Sequence, residues 1–204
     1  MEPRLSQVSE YLEAAAALQS RLAGACGLQV LAAADAVAGA LAAARKVLLC
    51  GNGGSAADCQ HVAAELVGQL SRDVDRPALA AVALTTDTSI LTGCGNDRGF
   101  DRAFARQVEA LGRPGDVLIA ISTSGRSPNV LQAVAAAGAL GMTTIGLSGQ
   151  GGRLAEVVDV AIVIPAGDTQ HVQEAMLPLE HLICALVERA LLAPSPAPRV
   201  EVGA

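Results

Sequence analysis

Two side chains capable of acid–base and ligand chemistry lie four residues apart in the sequence, at His61 and Glu65. On a helix this spacing places them on one face, where an imidazole and a carboxylate can meet the same ligand or metal ion. Asp58 lies three residues before His61 and could orient its imidazole. Because His and Glu at this spacing also occur as ordinary surface pairs, the pair alone does not decide between a site and a solvated helix face.

Two loops rich in glycine and serine follow short apolar runs that are typical of buried parallel strands. The loop Asn52–Ser55 follows the run Lys46–Cys50, and the loop Ser122–Ser127 follows Asp116–Ile121. A helix is predicted after each loop, and Ser55 is positioned to cap the first one. Glycine lets the backbone approach a ligand, and free amides at a helix start favour phosphate. The alternative is a plain strand-to-helix turn, since the first loop matches neither the Walker nor the GxGxxG pattern.

A third group of polar residues lies near the C-terminus, where Gln173 and His181 are eight residues apart. On an ideal helix that separation is roughly 12 Å along the axis and about 80° around it, which is awkward for one site. A shared site would need long side chains, an irregular turn near Pro178, or contributions from two subunits. His171 has no spacing that commits it to a site, and we expect it at the surface.

The composition excludes several classes of protein. The chain has 204 residues, a net charge of -6 and 1% aromatic residues, so a dedicated nucleic-acid surface is not expected. Its five cysteines have no CxxC spacing, and no signal peptide or membrane-spanning run is evident. We therefore expect a cytoplasmic protein with no membrane partner. The mean hydropathy of +0.42 suggests that part of the apolar surface is buried between subunits.

The elements that must position these residues alternate between strand and helix. This pattern predicts an α/β fold with a doubly wound, largely parallel five-stranded sheet flanked by helices, and ligands at the carboxyl ends of its strands. We expect a single domain over 1–193, with a helical segment at 4–44, an α/β core at 46–165 and a helix at 169–192. Gly24 and Gly27 are expected to divide the first segment into two helices, 93–99 is expected to be a loop, and 194–204 a disordered tail.

Four motifs, taken together, resemble the sugar isomerase (SIS) domain family, and closely its sedoheptulose 7-phosphate isomerase branch, also called phosphoheptose isomerase. They are CGNGGSAADCQHVAAEL at 50–66, GNDRGF at 95–100, GDVLIAISTSGRSPNV at 115–130 and QEAMLPLEH at 173–181. The resemblance covers nearly the whole chain. Agreement in order and spacing at four places is highly specific for the family and fairly specific for the branch.

The resemblance implies a role for individual positions. Substrate contacts are implied at Asn52, Gly53, Gly54, Ser55, Glu65, Asn96, Asp97, Ser122, Thr123, Ser124, Ser127 and Gln173. A zinc site is implied at His61, Glu65, Gln173 and His181. Within that set Glu65 would be the catalytic base and His181 its acid partner. The resemblance also implies a homotetramer with one zinc ion per subunit and active sites between subunits, with the N-terminal and C-terminal helices used for oligomer packing.

The implied reaction is aldose–ketose isomerisation of the phosphosugar sedoheptulose 7-phosphate, by proton transfer between C1 and C2 through an enediol. Three positions depart from the branch and bear on substrate choice: Gln69 where Arg is common, Gln170 where some members have Asp, and Met176 where His is frequent. Two alternatives stay open. One is a non-enzymatic SIS protein that binds phosphosugars or regulates replication, and the other is an isomerase of a different phosphosugar.

Overall fold

A parallel β-sheet lies at the centre of the computed structural model, which describes residues 2–192. In this range the sheet has five strands, in the spatial order β2-β1-β3-β4-β5 and all parallel. The strands are β1 (Val47–Gly51), β2 (Ala81–Ala83), β3 (Val117–Ser122), β4 (Thr143–Ser148) and β5 (Val160–Val163). The predicted fold class is confirmed. The tail predicted at 194–204 lies outside the described residues.

Helices cover both faces of the sheet. Over the same described range they are α1 (Pro3–Ala42), α2 (Gly54–Val67), α3 (Thr88–Arg98), α4 (Ala103–Leu111), α5 (Pro128–Ala139), α6 (Leu154–Val157) and α7 (Thr169–Leu192). A short 3-10 turn, Phe100–Arg102, joins α3 to α4. The helices bury two apolar cores, because alternate residues of each strand point to opposite faces. In β1, Val47 and Leu49 belong to the core under α1, α2 and α7, while Leu48 and Cys50 belong to the core under α4 and α5.

The first helix differs from the prediction. It runs unbroken for 40 residues through Gly24 and Gly27, which were expected to separate two helices. A mid-helix glycine costs only about 1 kcal/mol relative to alanine, and burial of Cys26 and Val30 against the core offsets that cost. Tertiary packing therefore overrides the local helix-breaking signal.

Helix α1 is also the one helix in the described part of the chain that is long and apolar enough to cross a membrane. The stretch Arg4–Ala42 passes by length and composition, but a core helix of a soluble protein passes the same test, so the evidence is weak. Large apolar side chains on it are exposed, among them Leu12 and Leu28. This helix has apolar surface that the described residues do not cover.

One further expectation on local structure is wrong, and another is confirmed. The segment 93–99, expected to be a loop, is helical as far as Arg98: Asp87 caps α3, and the helix continues through Gly93 and Gly95. The helix expected at 169–192 is present as α7, with Pro178 inside it. Asn96 therefore lies on a helix, and Gln173 and His181 lie on one continuous helix.

The topology positions both glycine and serine loops at one edge of the sheet. Strands β1 and β3 are neighbours, with Gly51 in register with Ile121. Both strands end at this edge, and their following loops lead into α2 and α5. The carboxyl ends of parallel strands are where ligands of such sheets bind, so the fold directs both loops toward one site.

Candidate active site

Three side chains with ligand atoms converge between α2 and α7. The Nε2 atoms of His61 and His181 are 2.7 Å apart, and His61 Nε2 is 3.7 Å from Glu65 Oε1. Ligand atoms of all three lie within 4.8 Å of one another, and each side chain is half-buried. The sequence-predicted His61 and Glu65 therefore do share a helix face, and α7 brings His181 to it from 120 residues away.

The chemistry of this set fits a metal ion. Two imidazole nitrogens and a carboxylate oxygen are a common zinc donor set in catalytic sites, which keep a further position open. Tetrahedral ligands at about 2.0–2.1 Å from zinc would be roughly 3.3 Å apart, so a bound ion requires the two imidazoles to separate by a small side-chain rotation. The residues present therefore fit a cation of this class.

Gln173 makes a different contact on α2. Its amide nitrogen donates a hydrogen bond to Asp58 Oδ2, and a Cβ built on Gly54 would collide with the same amide. Helices α2 and α7 thus lie side by side, with Gln173 beside the start of α2 and His181 just over two turns further along α7. Gln173 and His181, although eight residues apart, can therefore both contact α2, because each faces a different turn of that helix.

The prediction that Asp58 orients His61 is wrong, because the carboxylate accepts from Gln173 instead. Burial raises the pKa of Asp58, while the Gln173 hydrogen bond and the nearby His61 act in the opposite direction. Asp58 therefore fixes the Gln173 amide next to the first turn of α2.

The loop after β1 is tight and depends on glycine. Gly53 has a positive φ of 56°, and a Cβ on Gly51 would lie 2.8 Å from the Ser55 carbonyl oxygen. The expected cap by Ser55 is wrong: α2 begins at Gly54 with Gly53 at the cap position, and Ser55 is buried in the first turn. The Ala56 and Ala57 amides donate to the Gly53 carbonyl, so among the described residues the amides of Gly54 and Ser55 are the ones left for a ligand.

A residue pair that sequence reasoning missed joins the two loops. Asn52 and Asn129 exchange two amide hydrogen bonds of 2.9 and 2.8 Å, and Asn129 Oδ1 also accepts from the Val130 amide. Asn129 is buried at the start of α5. Its position directly after the serine loop was the available signal, but nothing in the sequence indicated its partner. The pair sets the spacing between the first loop and the second.

The serine loop has the features of an anion cradle. Ser122 Oγ and Ser127 Oγ are 3.0 Å apart, and Ser124 Oγ accepts from the Arg126 amide. Helix α5 begins directly after Ser127 with Pro128, which has no N–H. The Val130 amide donates to Asn129 Oδ1 and the Leu131 amide to the Ser127 carbonyl, so among the described residues only the Asn129 amide of this first turn is left for a ligand. The backbone of half-buried Thr123 is held by a hydrogen bond of 2.9 Å, which its carbonyl accepts from the Gly149 amide.

The loop 149–152, between β4 and α6, packs against the serine loop. Gly125 has a φ of 61°, and a Cβ built on it would lie 2.8 Å from Gly152 Cα. The Arg126 guanidinium donates to the Gly151 carbonyl at 2.7 Å. Arg126 therefore joins the two loops. The donors that the serine loop offers to an anion are neutral hydroxyls and amides.

Asn96 and Asp97 lie elsewhere, on α3. The Asn96 amide donates to Asp97 Oδ1 at 2.7 Å, and both side chains are exposed. Asp97 lines a cavity of about 380 Å³ between α3 and α4, together with Arg98 and Arg106. Within the part of the chain described, this pair has no hydrogen bond to either loop.

Two other residues near the site have surroundings that the sequence did not indicate. His171, expected at the surface, is half-buried, with its ring stacked on Tyr11 and its Nδ1 3.1 Å from Glu174. Glu180 is buried between α7 and α2, and neither carboxylate oxygen has a hydrogen-bond partner among the described residues. Burial, followed by the charge of Asp58, raises the pKa of Glu180 to about 8.

Comparison with known proteins places this geometry in a family. Residues 10–149 match the SIS domain family model. The chain is 49% identical to the phosphoheptose isomerase of Solidesulfovibrio magneticus over 93% of this chain and 92% of that protein. The phosphoheptose isomerase structure from Neisseria gonorrhoeae matches with a TM-score of 0.84 and 42% identity, covering 90% of this chain and 97% of the other. That from Francisella tularensis matches with a TM-score of 0.87 and 35% identity, covering 91% and 98%. The chain belongs to the SIS domain family, in its phosphoheptose isomerase branch.

Proposed function

We propose that this protein is an aldose–ketose isomerase that converts D-sedoheptulose 7-phosphate to D-glycero-D-manno-heptose 7-phosphate. The observation that carries the proposal is the convergence of His61, Glu65 and His181 between α2 and α7, on a helix that leads directly from the glycine loop after β1. A substrate phosphate on the serine loop would direct the sugar toward these three side chains. Relatives of this branch, about half identical over most of the chain, support the same activity.

The reaction moves one proton between adjacent carbons, and the chain has groups for each transfer. Glu65 is the proposed base, which takes a proton from C1, exchanges it with solvent and delivers a proton to C2. His181 is the proposed acid partner, which exchanges the proton between the two oxygens as the carbonyl moves from C2 to C1. Their side chains are half-buried, so both groups can reach a substrate while water access is reduced.

Binding of the substrate is assigned to the two loops and to α3. The proposed phosphate ligands are Ser122, Thr123, Ser124 and Ser127, and the proposed sugar contacts are Asn52, Gly53, Gly54, Ser55, Glu65, Asn96, Asp97 and Gln173. The protein has a net charge of -6, so its overall charge does not attract a phosphate. Binding would therefore depend on local hydrogen bonds from neutral hydroxyls and amides. Exposed Asn96 and Asp97 would have to approach the loops through a neighbouring subunit or a movement of α3.

One zinc ion per subunit is the proposed cofactor, with His61, Glu65, His181 and Gln173 as its ligands. Bound zinc would polarise the carbonyl and stabilise negative charge on the enediolate. Gln173 would have to exchange its hydrogen bond with Asp58 for this role. Glu65 would have to be free of the ion when it acts as base, because a carboxylate bound to a cation is a weaker base.

We further propose a cytoplasmic homotetramer, built on a single SIS domain over residues 1–193. Exposed apolar side chains on α1 support the assembly, as does α3, on which no side chain is fully buried. Burial of such surface between copies of the chain is the usual outcome. Active sites between subunits would also bring a neighbouring α3 toward the loops.

Two alternatives have different support. A non-enzymatic sugar-phosphate binder has no need for the cluster of His61, Glu65 and His181, which therefore favours an enzyme. Specificity for another phosphosugar is open at Gln69 and Gln170, which are exposed. Met176 is fully buried in the apolar core and would act only through packing.

Incubation of the purified protein with sedoheptulose 7-phosphate and zinc tests the activity. Aldose formation is the expected result, and its absence would favour the binder. Metal analysis of His61→Ala tests the zinc ligand separately. We expect loss of bound zinc, and unchanged zinc content would refute that ligand.

A further inference from the structure

A buried arginine joins the two helices that carry the metal and acid–base residues. Arg76 lies in the loop after α2, and its side chain is only 2% exposed. Its Nη2 donates to the Glu65 carbonyl at 2.7 Å and its Nη1 to the Leu66 carbonyl at 2.9 Å. Its Nε donates at 2.8 Å to Glu188 Oε1 on α7. One guanidinium thus contacts the end of α2 and the side of α7 together.

The contacts on α2 meet a specific need of that helix. The last four carbonyls of a helix have no partners within it, and the negative end of its dipole favours a cation. Helix α2 ends at Val67, so the carbonyls of Glu65 and Leu66 are in this unpaired group. The residue whose backbone Arg76 holds is the proposed base itself.

The contacts on α7 complete the connection. Glu188 is 4% exposed and accepts from the Leu70 amide at 3.0 Å as well as from Arg76. It lies seven residues after His181, which is about two helical turns. The pair therefore fixes the end of α2 against α7 close to the place where their functional side chains meet.

We propose that Arg76 and Glu188 are positioning residues, which set the placement of α2 relative to α7 and hence the geometry of His61, Glu65 and His181. A buried ion pair is weak evidence of a stabilising role, because well-packed apolar residues of similar volume often serve equally well. What apolar residues do not reproduce is a planar fork of donors that fixes three acceptors at defined positions. The inference rests on the proposed roles of those three side chains.

Arg76→Lys is the test variant. Lysine keeps the positive charge for Glu188, but its single ammonium does not reach the fork of acceptors on both helices. We expect the fold to be retained, while the zinc Kd rises and kcat falls, each by roughly tenfold or more, as for loss of residues that orient metal ligands. Zinc affinity is measured by competition with a chelator, independently of turnover.

The matched control is Lys46→Arg, an exchange of the same two residue types at an ion pair that involves neither α2 nor α7. Lys46 Nζ contacts Asp116 at 2.6 Å at the start of β1. We expect parental zinc affinity and kcat there. Parental values in Arg76→Lys as well would overturn the positioning role.

A double variant, Arg76→Met with Glu188→Met, separates positioning from stability. The apolar pair is expected to keep the Tm near the parental value while zinc affinity and kcat stay reduced. Full recovery of both functions with the apolar pair would show that packing alone suffices and would also overturn the proposal. Absence of zinc binding and of turnover in the parental protein would instead contradict the proposed function.

Discussion

Replacement of Gly54 by alanine should damage the site while leaving the fold intact. Gly54 is the first residue of α2, and a Cβ built there would lie 2.7 Å from Gln173 Nε2 and 2.8 Å from Gln173 Cδ. Contacts this short are not tolerated, so one group must move. The Gln173 amide is the end of a flexible side chain, and we expect it to leave Asp58.

The magnitude follows from misplacement of the Gln173 amide, which is a proposed substrate contact and metal ligand. A hydrogen bond to a charged group contributes about 1.5–3 kcal/mol, so loss of one such contact with the substrate in the transition state corresponds to roughly a 10- to 150-fold loss of kcat/KM. Alanine is itself favoured over glycine in a helix by about 1 kcal/mol. Loss of the hydrogen bond to Asp58, partly offset by alanine, should therefore lower the free energy of unfolding of Gly54→Ala by about 0.5–2 kcal/mol.

The assay compares kcat/KM and urea unfolding in Gly54→Ala with the same measurements in Gly138→Ala. Gly138 is also helical, within α5, but a Cβ there meets nothing within 4 Å. The control should gain about 1 kcal/mol of stability and keep parental kcat/KM. Parental kcat/KM in Gly54→Ala would refute the placement of Gln173 as a functional group, and a large stability loss would refute the expectation that its side chain yields.

Three further predictions concern stability, each measured by urea unfolding. Burial acts to raise the pKa of Asp116, but hydrogen bonds from Lys46 and Arg113 outweigh burial and lower the pKa below 3.8. Asp116→Asn should therefore lower the free energy of unfolding by about 1–3 kcal/mol near pH 7. The lowered pKa gives a stability contribution that is fully present above pH 3.8 and is lost as the pH falls through the folded-state pKa. The difference in unfolding free energy between the parental protein and Asp116→Asn should therefore shrink below pH 3.8, and a constant difference would contradict this prediction. Glu180→Leu should raise the free energy of unfolding by about 1–3 kcal/mol, because it removes buried oxygens without partners among the described residues; a decrease would indicate a stabilising partner in the assembly. Gly24→Ala should stabilise by about 1 kcal/mol if α1 is continuous, and destabilisation would indicate a break there.

The sequence predicts the sheet well because each parallel strand is a short apolar run bounded by polar or glycine residues. In β1 and β3 this pattern also locates the two ligand loops, since the carboxyl ends of neighbouring strands meet at one edge. Local signals were less informative where packing decides the outcome. Gly24 and Gly27 suggested a break in α1, but burial of the residues between and beside them sustains the helix.

Long-range polar contacts are the part of the site that spacing does not reveal. His61 meets His181 across 120 residues and Arg76 meets Glu188 across 112. Family resemblance predicted the first pair, whereas the second was not anticipated. Asn129 likewise gave no sign of its partner, because an asparagine after a serine loop has many possible acceptors.

The central claim is that a base removes the C1 proton and an enediol is protonated at C2, and the most direct measurement is the isotope content of the product. Sedoheptulose 7-phosphate is incubated with the zinc-loaded protein in heavy water, and the aldose is examined by nuclear magnetic resonance. The proposed mechanism predicts solvent deuterium at C2. An aldose formed without deuterium at C2 would contradict a base that exchanges its proton with solvent, and would instead indicate transfer of the C1 hydrogen to C2 without exchange.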